Sequence, residues 1–318
     1  MIVVQVVSRK ITGASYVKMG LGHSLVIALT LFCAGLQSLQ ALEWGYWGKY
    51  EPQNWPGVCK TGKKQSPIDI VTEDAIRTDL GALKFDRYDF AFTGTLVNNG
   101  HSVEVRLYGV PILLTGSTLS STYIFEQMHF HWSAEHTVDG ARDPLELHLV
   151  HYDKKYANLS EAAQHKGGIA VVAVLFELSV NDNLDLSPIV EATKMVSHWV
   201  GHSMMHIRTK MIPLWFLPKD HTTYYHYEGS LTTPECQESV MWFVMTEKLK
   251  VSEAQMNVFR HVESNNGTLK HNYRPVQNLG HRKVYHRLEG YVNAAFNVTW
   301  SVYTVLTILL IRFLYGNF

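Results

Sequence analysis

The sequence has no excess of either charge: 28 Lys and Arg balance 28 Asp and Glu over 318 residues. A neutral chain lacks the overall basicity that a nucleic-acid binder usually carries, so no nucleic-acid partner is expected. Cysteine is scarce, with only Cys33, Cys59 and Cys236, too few for a small disulfide-built scaffold. Between Leu42 and Leu288 there is no linker, no low-complexity tract and no obvious repeat. Apolar residues still make up 46% of the chain, enough for a sizeable core and against disorder. Histidine is the residue in surplus, at 17. That points to metal or proton chemistry, and it also makes chance histidine motifs common.

The two ends differ from the middle. Residues 25–34 form an apolar run of ten behind Lys10 and Lys18. Ten residues are too few to span a bilayer as a helix. With small residues following, residues 1–41 read as a secretory signal region cut between Gly35 and Ala41, with Met19 as an alternative start. At the other end, the 22 residues between Glu289 and Arg312 carry no charge. Residues 289–318 therefore read as a transmembrane segment or as the signal for a glycosylphosphatidylinositol anchor attached near Asn293, the latter favoured. Either reading puts the protein in the secretory pathway, membrane-anchored at the cell surface. If Cys33 leaves with the signal, an even pair of cysteines remains and suggests one disulfide. Asn158, Asn266 and Asn297 open glycosylation sequons.

The middle, 42–288, reads as one mainly β domain. Strand-like runs cover 101–110, 123–132, 145–152 and 167–178, separated by turn signals such as Asn99-Gly100 and Asp143-Pro144. A single convincing helix, 187–200, is expected to start with Ser187 as cap and Pro188 in its first turn. The expected architecture is a mostly antiparallel sheet with a few surface helices.

His129 and His131 lie two apart on an expected strand, so both imidazoles share one face and Phe130 takes the other. Chance alone supplies about one such pair at this histidine content. His148 lies in the next expected strand, and an antiparallel return brings it beside the pair. Three imidazoles leave one of zinc's four tetrahedral positions open for water. His151, at an odd offset from His148, is expected on the opposite face, and His136 in the core. A rival set, His198, His202 and His206, has helical spacing. It lacks the glutamate of a zinc-protease helix, because position 199 is Trp.

The chain resembles the alpha carbonic anhydrases over about 44–288. The resemblance is carried by Gln65-Ser-Pro-Ile-Asp-Ile, Asn98-Asn-Gly-His101, Gln127-Met-His129-Phe-His131-Trp, Glu135-His-Thr-Val-Asp, Glu146-Leu-His148-Leu-Val-His, Gly229-Ser-Leu-Thr232-Thr-Pro and Asn272-Tyr-Arg-Pro. It implies a single domain on a large twisted sheet. It also implies Zn2+ as cofactor, and reversible hydration of CO2 to bicarbonate by attack of a zinc-bound hydroxide. By resemblance His129, His131 and His148 hold zinc, and Gln127, Glu146 and the Asn272 carbonyl orient them. Thr232 and an ionised Glu135 orient the nucleophile. Val150, Val171, Leu231, Val240, Trp242 and Thr233 line the CO2 pocket. His101 is the proton shuttle, with Tyr46 and Asn99 ordering relay water. Exported members carry a bridge at places matching Cys59 and Cys236. One departure is Glu104, where familiar members carry an amide. No obligate protein partner is evident. A zinc-free binding domain on the same fold and a zinc-dependent ester hydrolase remain as alternative functions.

Overall fold

The computed structural model describes residues 43–201 and 204–291, with 306–307 and 310–311 as helical positions. The expected signal region, and the sequon at Asn297, lie outside the described residues, as does most of the expected anchor. The described residues from Trp44 to Tyr291 form one unit, built on a 13-stranded sheet.

The expected strands form where the sequence alternates or runs continuously apolar. They are Val103–Tyr108, Tyr123–Trp132, Leu145–Asp153 and Ile169–Ser179. Ile169–Ser179 is apolar almost throughout because both of its faces are covered. Ala170, Val172, Val174 and Phe176 enter the larger core, and Ile169, Val171, Ala173 and Leu175 a smaller one. Most pairings are antiparallel, as expected. Ile169–Ser179 pairs parallel with Val240–Met245 and Leu249–Ser252, and Tyr285–Arg287 pairs parallel with Ile76–Thr78.

The helix is shorter than expected, Ser187–Val196, and Ser187 is not its cap. A 3-10 turn, Leu184–Leu186, runs directly into it, so the capping side chain moves upstream to Asn183, whose oxygen accepts from the Asp185 amide. The far end stops early because the Ser197 carbonyl accepts from Asn98 Nδ2 and from the Glu263 amide. His198 is therefore off the helix, where it pairs with Glu263 at 3.0 Å. His206 lies on the strand Met204–Met211, and His202 is outside the described residues. His198 and His206 therefore share no helical face.

Candidate metal centre and cleft

Tyr123–Trp132 and Leu145–Asp153 pair antiparallel, with His148 directly opposite His129 and Glu146 opposite His131. One ring nitrogen from each of His129, His131 and His148 falls in a group lying within 4.8 Å of one another. Each ring's other nitrogen is occupied. His129 Nδ1 lies 2.9 Å from Gln127 Oε1, His131 Nδ1 2.7 Å from the Asn272 carbonyl, and His148 Nε2 2.7 Å from Glu146 Oε1. All three partners are acceptors, so the imidazoles must donate there.

The inward nitrogens, His129 Nε2, His131 Nε2 and His148 Nδ1, are then lone pairs. His148 Nδ1 faces His129 Nε2 at 3.3 Å with no proton to share. His131 Nε2 is buried without a hydrogen-bond partner and stands 3.5 Å from Glu135 Oε2, another acceptor. Facing lone pairs in a largely buried site call for a cation. Burial lowers all three histidines, with His131 at about 4, which favours the neutral form that ligates metal. Three neutral nitrogen donors fit zinc.

Glu146 is saturated. Oε1 accepts from His136 Nδ1 at 2.6 Å as well as from His148, and Oε2 accepts the backbone amides of Glu135 and His136 at 2.8 Å. Burial works against its charge, yet His136 and His148 hold its carboxyl well below the usual range. His136, Glu146 and His148 also form a metal-capable group, but the Glu146 hydrogen bonds already use it. His136 is thus a core residue, its Nε2 lying 2.7 Å from the Tyr227 hydroxyl. His151 sits in the core with Tyr88 at 2.5 Å, as its offset implied.

Glu135 is fully buried, and Oε1 accepts from the Arg274 amide at 2.8 Å. Burial pushes its carboxyl up to about 7, while Thr232 and Arg274 pull it down. Thr232 is close enough to do this without a well-formed bond, because Glu135 Oε2 has no partner. A dication alongside would favour the charged form. Thr232 sits in a tight loop in which the Leu231 amide reaches Gln237 O and the Cys236 amide reaches Thr233 O. The Cys59–Cys236 disulfide fastens that loop.

Val150, Val171, Val240 and Trp242 are buried together, with Leu231 packed against them; Thr233 is half-buried. The Trp242 ring lies 4.8 Å from the His148 ring, so this apolar wall adjoins the histidines. Gly229 makes room for it: a Cβ there would meet Ser66 Oγ at 2.1 Å and Trp242 at 2.9 Å.

His101 follows Gly100, which takes the left-handed φ of 86°. Asn99 Oδ1 accepts the His101 and Ser102 amides, so this side chain shapes the turn. The His101 ring stacks on Trp44 at 3.6 Å and 9°, and burial lowers it to about 4. Tyr46 is buried, with its hydroxyl unpartnered. Burial and then the Glu135 charge raise its pKa well above the ordinary value.

Sequence reasoning did not single out Trp44 or the Arg274 side chain. Arg274 Nη1 donates to Gln65 Oε1 and Ser66 O, and Nη2 to Cys59 O. Arg274 stands inside the Asn272-Tyr-Arg-Pro motif, which was the available signal.

A family model of the eukaryotic-type carbonic anhydrases matches residues 47–288. Carbonic anhydrase 6 of Mus musculus is 34% identical over 281 residues, covering 82% of this chain and 86% of the relative. Carbonic anhydrase 4 of Oryctolagus cuniculus is 35% identical over 250 residues, covering 74% and 79%. Putative carbonic anhydrase 3 of Caenorhabditis elegans is 34% identical over 255 residues, covering 76% and 97%. With the match spanning every residue of the histidine site and its loops, the chain belongs to the eukaryotic-type carbonic anhydrases, lyases that hydrate CO2.

Proposed function

We propose that this chain is a zinc carbonic anhydrase interconverting CO2 and bicarbonate on the extracellular or lumenal side of a membrane. The observation that carries the zinc reading is the convergence of His129 Nε2, His131 Nε2 and His148 Nδ1 with each outer nitrogen held by an acceptor. Zinc held there by His129, His131 and His148 would supply a Lewis acid that lowers the pKa of water toward neutrality, the chemistry general to zinc carbonic anhydrases.

The chain's own residues do the rest. Gln127, Glu146 and the Asn272 carbonyl fix which imidazole nitrogen carries the proton, so the inward lone pairs stay available. Glu135, when ionised, can only accept. Thr232 would therefore donate to Glu135 and use its own oxygen to accept from the O–H of the nucleophile, which sets the direction of attack. CO2 is apolar, and Val150, Val171, Leu231, Val240, Trp242 and Thr233 give it a surface where water competes poorly. Hydration releases one proton per turnover. His101 is the side chain to carry it out, after leaving the Trp44 stack in which burial keeps it at about 4. Tyr46 and Asn99 border that path and order its water.

Export is supported by the Cys59–Cys236 bridge, a bond that persists in oxidising compartments. Asn158 and Asn266 are exposed, as glycan acceptors must be. The tail from 289 is the membrane attachment, with a glycosylphosphatidylinositol anchor near Asn293. Among the described residues no helix is long and apolar enough to cross a membrane.

Stopped-flow CO2 hydration tests the reading. The purified protein should be active, lose activity when a chelator strips its metal, and regain it with stoichiometric zinc. Activity unaffected by complete metal removal would overturn it.

A further inference from the structure

Glu104 lies on the strand Val103–Tyr108, directly across from His129. Directly opposed residues share a face, with Cβ atoms about 5 Å apart. Glu104 therefore stands on the side of the metal-facing imidazoles, while Val103 and Val105 enter the larger core. Its side chain is only 16% exposed, and it is held: Arg106 Nε donates to Glu104 Oε1 at 2.8 Å. Arg106 also lies 3.6 Å from Glu126. Two carboxylates against one guanidinium leave a net negative charge on this wall of the histidine site. The reaction has a neutral substrate and an anionic product, and such a wall treats the two differently.

We propose that Glu104, restrained by Arg106, is a specificity determinant that weakens the binding of bicarbonate and other small anions at the metal position and leaves neutral CO2 unaffected. The proposal rests on the three-histidine metal reading. Glu104→Gln keeps the shape and removes the repulsion, so anions bind about fivefold tighter, the size expected of one partly screened charge at this range. Arg106→Gln removes the offsetting cation, so anions bind more weakly. Two changes on one strand then act in opposite directions. Simple loosening of the strand would weaken anion binding in both variants.

The test loads the full chain and both variants with Co2+, whose visible bands report on the metal position, and titrates each with thiocyanate. Cobalt content and urea midpoints are measured alongside. The expected result is one cobalt per chain throughout, with the thiocyanate Kd lowered about fivefold in Glu104→Gln and raised in Arg106→Gln. Cobalt uptake with Kd unchanged in both variants, or shifted in the same direction, overturns this proposal alone. A parent protein that takes up no cobalt overturns the metal reading and this proposal with it.

Discussion

His151 shows how burial ties a single side chain to pH. Burial lowers it to about 4, against ~6.5 in an unfolded chain. Between those values the unfolded chain binds a proton that the folded chain refuses. The His151 contribution is therefore complete above pH ~6.5 and is lost as pH falls toward 4, by about 2 kcal/mol at pH 5. His151→Gln should be less stable at pH 7.5 but should lose about 2 kcal/mol less than the parent on going to pH 5. Urea unfolding at the two pH values checks this, and parallel losses would count against it. His101 gives a second case. Removing its stacking partner in Trp44→Ala should raise the His101 pKa from about 4 toward the ordinary ~6.5, as read by NMR titration of the ring. An unmoved value would mean that the stack is not the source of the burial. The His129 and His131 pair was legible because period 2 fixes a face from sequence alone, and His148 because an antiparallel return brings it opposite His129. Trp44 against His101 was not, nor was Arg274 against Gln65 at 209 residues' separation, since no local pattern encodes such contacts.

At the scale of elements, strands were easier to read than the helix. Tyr123–Trp132 and Leu145–Asp153 follow from apolar and aromatic runs bounded by turn signals, within a residue of expectation. The helix ends were set from outside: Asn183 caps a preceding 3-10 turn, and Asn98 and Glu263 take the Ser197 carbonyl. Helical spacing alone thus gave His198, His202 and His206 a shared face that the tertiary contacts of His198 and His206 deny. The Thr232 loop has an external support of another kind. Cys59–Cys236 closes a separation of 177 residues, which the chain-entropy model values at about 5 kcal/mol, less any native strain. The paired Cys59→Ser, Cys236→Ser variant should lose stability approaching that amount. It should also lower kcat, because the loop that carries Thr232 loses its fastening. A denaturant midpoint matching the parent's would contradict the stability claim.

For the whole molecule, the 13-stranded sheet places its histidine strands in the interior of the strand order, and the edge strand Met204–Met211 is remote in that order from Tyr285–Arg287, after which the tail begins. Arg287 Nε and the Gly290 amide both donate to Asp79, so the domain ends in a held strand just before the proposed anchor. Phosphatidylinositol-specific phospholipase should therefore release active enzyme from intact cells. Activity that stays with the membrane, with peptides through Phe318 in the mature protein, would favour a spanning segment.

Zinc content of His129→Ala decides which histidine group holds the metal. His129 belongs to the group with His131 and His148 and not to the group of His136, Glu146 and His148. Native mass spectrometry of protein purified with zinc should find one zinc per chain in the parent and none kept through desalting in folded His129→Ala. One zinc per chain in that variant would contradict the three-histidine centre.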